Sequence, residues 1–277
     1  MFDLLTSVGL DPARAIKAGF EPSLVLLFIA CLIHSLRNHG RTRTLREFVA
    51  GFGLTLLAES TGVLSGAYVY PGFVFYVGAT PFVNPASWVA LVYVIMEVSN
   101  RLVWGQKSLD PKQPGKSLPV DGSSPLLLRG SLVTTLLVLA LIDASLALCI
   151  DLVLDPLATI YNWWVWVPAV AGEHTIGPGV VTAYNFSGDA WLTTPDNPLA
   201  RLWAPAFAEG YRYPTRVFGI PLINFIAWLV FVFVYAFQFR WVESHTVWSE
   251  RRKTVVLWSL MLLDWPVLAF LLITPNI

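Results

Sequence analysis

Charge is scarce in this sequence. Only 13% of its residues are Asp, Glu, Lys or Arg, and 56% are hydrophobic. Soluble domains carry about twice that share of charge, so a free globular domain is excluded. Cysteine is nearly absent. Cys31 and Cys149 both lie in apolar runs, where they read as small packing residues and not as a disulfide framework. Histidine is equally sparse: His34, His39, His174 and His245 show no pair at metal-ligand spacing, so no metal site is expected. Lysine is missing from every apolar run, which excludes a Schiff-base retinal protein. Net charge is zero, so no nucleic-acid partner is implied.

What is abundant is long apolar sequence, with a mean hydropathy of +0.63. About 20 residues at 1.5 Å each cross a ~30 Å hydrocarbon core. Six runs have that length, roughly 20–36, 48–66, 85–104, 127–150, 218–239 and 254–273. They are continuously apolar and not alternating, so helices are expected and a barrel is not. The expected fold is an all-α polytopic transmembrane bundle of about six spans plus one re-entrant or interfacial segment, forming a single membrane domain over 1–277. The first twenty residues have early acids and only a short apolar patch, so they read as an interfacial segment and not a cleaved signal.

Thirteen of the eighteen Lys and Arg fall in the connections 37–46, 101–129 and 240–253. The positive-inside rule then places both termini outside. The inner connection 105–125 is rich in Pro, Gly, Ser and Lys and reads as a flexible linker. The segment 64–83 carries no charge but is broken by Gly and Pro. It suits a re-entrant stretch shielded by protein. Residues 167–217 should form an outer cap, and their NFS at 185–187 matches a glycosylation acceptor, a pattern common by chance.

Against this background the acids stand out. Glu59, Asp143 and Asp151 are expected in the outer half of spans, Asp155 at a helix end before Pro156, and Asp264 near the middle of the last span. Asp143, Asp151 and Asp155 fall within about 120° of one another on a helix. Intramembrane carboxylates are costly and usually face the bundle interior. Desolvation makes a carboxylic acid hold its proton more tightly, which suits a general acid. Simpler roles also fit. Glu97 lies four residues before Arg101 and suits a helix-surface ion pair. Asp151 suits a hydrated helix end, Asp264 the kink at Pro266, and Glu59 and Asp143 interhelical hydrogen bonds.

Aromatics gather on the same outer side: Tyr68, Tyr70, Phe73, Phe75, Tyr76, Trp163, Trp164 and Trp166. An interfacial belt accounts for many aromatics, among them Trp104, Trp241 and Trp248 at the inner boundary. A wall of ring faces also stabilises a carbocation, as it binds cations. Acids beside such a wall suggest proton-driven chemistry on an alkene.

Four blocks occur in order: E-x-x-G-x-x-x-G-x-Y-x-Y at Glu59, Gly62, Gly66, Tyr68 and Tyr70; DLVLDP at 151–156; WVW at 164–166; and FGIPLINFIAW at 218–228. Together they resemble the integral-membrane carotenoid-hydratase-like family, which includes the bisanhydrobacterioruberin hydratases and lycopene 1,2-hydratases. The resemblance implies addition of water across the terminal double bond of a linear isoprenoid, without cofactor or metal, in a prokaryotic cell membrane. It places Asp151, Glu59, Asp155 and Asp143 as acid and base candidates. Tyr68, Tyr70, Trp164, Trp166, Asn224 and Asp264 become substrate-binding candidates. One departure is the long stretch between WVW and FGIPL, where the family pattern is short. A cap that excludes water would favour ring closure by an internal alkene over hydration. A proton-coupled carrier and a purely structural membrane partner are the rival readings.

Overall fold

The structure is a computed structural model, and it describes residues 12–64, 67–70, 73–104, 132–160, 163–166, 216–217 and 220–273. The linker 105–125, the NFS site and nearly all of the cap 167–217 lie outside the described residues. Six helices make up most of what is described: α1 Pro12–His39, α2 Arg41–Leu64, α3 Val83–Trp104, α4 Leu132–Ile160, α5 Leu222–Ser244 and α6 Glu250–Ile273. The chain is an all-α polytopic membrane protein. Within α1, α2, α4, α5 and α6 lie stretches long and apolar enough to cross a bilayer. At 22 residues α3 reaches ~33 Å, and it packs along α1 and α2. Several helices outrun the apolar runs. Lys17 is helical but precedes the apolar stretch of α1, and Lys253 lies in the first turn of that of α6.

The connections are tight where the sequence permits it. Between α1 and α2 stands a single residue, Gly40, at φ 78°. That left-handed conformation is open to glycine at no steric cost. Only five residues separate α5 from α6, and Glu250 in the first turn of α6 suits the positive end of its dipole.

The central contact is α4 along α5. On α4 the residues Leu136, Ala140, Ala144, Ala147, Asp151, Asp155 and Ala158 recur every three or four positions, and all are buried. The alanines let the two backbones approach, which is how helices associate without a hydrophobic drive between them. On its other flank α5 packs against α6, and α2 lies between α3 and α6.

Asp143 lies on the same buried face as Asp151 and Asp155, as its spacing predicts, but not at their depth. Helix α4 starts at Leu132 and runs to Ile160, past Pro156. Asp143 is therefore eight residues, ~12 Å, from Asp151 along α4, toward the N-terminal end of that helix. There it accepts from Ser99 Oγ at 2.5 Å and forms an ion pair with Arg240 of α5. Arg240 also donates to Ser99 and Asn100 of α3, so one arginine ties three helices together. In place of the ion pair expected between Glu97 and Arg101, Glu97 takes a histidine partner. Glu97 Oε1 meets His39 Nε2 at 2.8 Å, joining α3 to the end of α1. Arg46, 1% exposed, bridges α2 to Glu243 and Glu250.

Three two-residue ladders occupy the opposite end: β1 (Tyr68–Val69) with β4 (Val165–Trp166), β2 (Tyr76–Val77) with β3 (Thr80–Pro81), and β5 (Arg216–Val217) with β6 (Ile220–Pro221). The segment 67–81 is not a span. Ala67, Tyr68, Tyr70, Phe73 and Ala79 are buried against the helix ends, while Val74 and Phe75 are exposed. Glu21 accepts the backbone N–H groups of those two exposed residues.

Replacing Arg240 by Met should cost about 3–5 kcal/mol, because Asp143 is left buried without its counter-charge. The double variant Arg240→Met/Asp143→Leu should recover most of that loss. Thermal unfolding in detergent measures both.

Candidate functional site

The ends of α2 and α4 are held in place by short backbone bonds. Ala67 N–H donates to Gly62 at 2.8 Å, and Trp163 N–H to Ala158 at 2.7 Å. Both chains then enter the β1–β4 ladder, with Tyr68 opposite Trp166 and Val69 opposite Val165. The pairing folds the loop aromatics over the helix acids.

Glu59 is the focus on one side. Its Oε2 accepts from Tyr70 Oη at 2.5 Å and Tyr68 Oη at 2.8 Å, and Asn84 at the start of α3 also hydrogen-bonds the carboxylate. Asp151 and Asp155 are the focus on the other. The Asn224 side-chain amide of α5 donates to both, at 3.0 Å to Asp151. The two aspartates, one turn apart on α4, share this donor, and Trp164 lines the same cavity as Asp155. Asp155 and Glu59 line the same cavity.

Between the two groups is a cavity enclosing about 930 Å³ of empty space, counted to its open mouth. All six helices contribute to its wall, and the two carboxyl groups reaching it are Glu59 and Asp155. Tyr68, Tyr70, Asn84, Trp164 and Asn224 line it as well. Trp88 and Trp228 form a second aromatic wall, stacked at 3.9 Å, with Phe231 edge-on to Trp88 at 4.2 Å. The lining is mostly apolar with a few convergent polar groups, the make-up of small-molecule sites.

Of the residues singled out in the sequence, Glu59, Asp155, Tyr68, Tyr70, Trp164 and Asn224 meet here. Asp151 stands behind Asp155, 0% exposed and off the cavity surface, with Oδ1 lacking a hydrogen-bond partner among the described residues. Trp166 is placed by its backbone pairing alone. Asp143 is not in this group, and Asp264 lies against a separate smaller hollow. Asn84, Trp88 and Trp228 were not anticipated. The sequence signal for them was thin: an Asn-Pro at a helix start, and tryptophans that an interfacial belt explains equally well. No family model, curated protein or solved structure matches this chain.

Gly62 is a point of close approach. A Cβ there would overlap the Tyr68 ring and hydroxyl, which Glu59 holds in place. Gly62→Ala should therefore cost about 1–3 kcal/mol by overpacking. Gly53→Ala, on the same helix with nothing within 4 Å of the added carbon, should be stabilising by about 0.5–1 kcal/mol. Paired melting curves check the contrast.

Proposed function

We propose that this protein is a membrane-embedded enzyme that protonates a terminal alkene of an isoprenoid, such as a linear carotenoid, and captures the cation with water. The observation that carries this reading is one aromatic-walled cavity with carboxyl groups on two sides, Asp155 with Asp151 on one and Glu59 on the other. In this reading a proton passes from a carboxyl group to the less substituted alkene carbon. The tertiary cation that forms is stabilised by the ring faces of Tyr70, Trp164, Trp88 and Trp228. The oxygen of water bonds to the cation, and its proton passes to a second carboxylate. No electrons are gained or lost, and the enzyme's proton inventory is restored.

Hydrogen-bond accounting divides the roles. In this reading the Asp151–Asp155 pair, joined through Asn224, is the source, with Asp155 facing the substrate. Glu59 already accepts from two tyrosine hydroxyls on one oxygen, which suits the base that receives the proton from water. Asn224 holds both aspartates in register. The distribution of basic residues supports an orientation with both termini outside and the acid site in the outer leaflet half. The expected setting is a prokaryotic cell membrane.

Expression in a host that makes linear carotenoids tests this. The extract should gain products heavier by one water, and Glu59→Gln or Asp155→Asn should reduce their yield about 100-fold or more, the usual scale for loss of an acid or base. Products of unchanged mass but altered retention would make the protein a cyclase. Absence of any new product would remove the isoprenoid reading.

A further inference from the structure

Helix α1 is a single layer over one side of the acid cavity. Phe20 and Leu24 line the cavity from α1. Ala18 and Pro22, on the far side of the same turns, are exposed. Helix α1 packs along α3 and α2, so at this end one helix stands between the cavity and the bilayer.

The two halves of α1 are held differently. In the C-terminal half Phe28 packs on Phe48, Phe52 and Phe82. His34 is hydrogen-bonded to Tyr93 at 2.6 Å, Ser35 to Thr44 at 2.8 Å and His39 to Glu97 at 2.8 Å. Among the described residues the N-terminal half has two comparable ties to other segments. Phe20 stacks on Trp163 at 3.6 Å with 13° between the rings. The Glu21 carboxylate accepts from the backbone N–H groups of Val74 and Phe75 at 3.1–3.3 Å. Those bonds are longer than charge-assisted ones usually are, and they end on a loop tip whose side chains are exposed.

The helix is weakest at the same place. Pro22 lies inside α1. It has no N–H, so the Ala18 carbonyl loses its helix bond. At Gly19 an added Cβ would meet nothing within 4 Å, so packing does not demand the glycine, which costs helix stability. Gly19 and Pro22 bracket Phe20 and Glu21, the two residues that make the ties.

We propose that the N-terminal turns of α1 are a lateral door through which an apolar molecule dissolved in the bilayer reaches the acid cavity. Phe20 unstacks from Trp163, Glu21 leaves the loop amides, and the turns preceding Phe28 swing aside. From Phe20 to Phe28 the moving part is eight residues, ~12 Å. The occupant comes from the lipid phase because the door is apolar on both faces: Phe20 and Leu24 toward the cavity, Leu26 and Ile29 toward the bilayer. This route serves any apolar occupant and does not rest on the isoprenoid reading.

The test is the access of two reagents to one thiol in the cavity wall. Cys31 and Cys149 are replaced by alanine, and Ala227→Cys supplies the thiol. The full-length protein is placed in phosphatidylcholine vesicles. Modification by a long-chain alkyl maleimide dissolved in the bilayer is compared with that by a charged, water-soluble methanethiosulfonate, each rate taken relative to free cysteine. The alkyl reagent should react faster. Phe20→Ala and Glu21→Ala should raise its rate roughly twofold to tenfold, the scale of one aromatic pair or hydrogen bond. The double variant Gly19→Ala/Pro22→Ala should lower that rate without lowering the melting temperature. An alkyl rate indifferent to all these changes would overturn the door, and so would faster reaction of the charged reagent.

Discussion

Hydrocarbon does not solvate polar groups, and every other feature of this structure follows from that constraint. A carboxylate placed in a span must find its partners within the protein. The chain meets the demand in two ways at two depths. Toward the end that carries the α5–α6 turn it uses full charge: Arg240 with Asp143, and Arg46 with Glu243 and Glu250. Around the outer cavity it uses neutral donors: tyrosine hydroxyls on Glu59 and a carboxamide on Asp151 and Asp155.

The difference has a chemical consequence. An acid locked to an arginine has its charge neutralised and its lone pairs occupied. Its contribution is then mechanical, and Asp143 accordingly holds α3, α4 and α5 together. An acid held by hydroxyl and amide groups keeps the capacity to exchange a proton with whatever enters beside it. That the acids of the second kind surround the larger cavity, while the first kind lie away from it, is why the outer site is the place to look for chemistry.

The architecture was legible in the sequence because it rests on length and periodicity. Continuous apolar runs are a local feature. So is the Glu59–Tyr68–Tyr70 cluster, whose members fall within twelve residues. Depth was not legible. Asp143 was expected beside Asp151 because both fall on one helical face, but an apolar run does not mark where a helix begins. With α4 continuing to Ile160, Asp143 falls toward the N-terminal end of that helix, at the level of Arg240. Partner choice was hidden for the same reason. Glu97 has Arg101 one turn away, yet it takes His39 from another helix, across the α1–α3 packing. Trp88 and Trp228 stack across α3 and α5, a contact that no spacing within one helix can reveal.

The central claim is that the carboxyl groups on the two sides of the aromatic cavity add a proton and then a hydroxyl to one double bond. Turnover of a linear isoprenoid in deuterated water tests it most directly. The account predicts one deuterium on the carbon next to the new carbinol, oxygen from solvent in the hydroxyl, and neither label with Glu59→Gln or Asp155→Asn. A product without solvent deuterium at that carbon, or undiminished labelling by either variant, would contradict it.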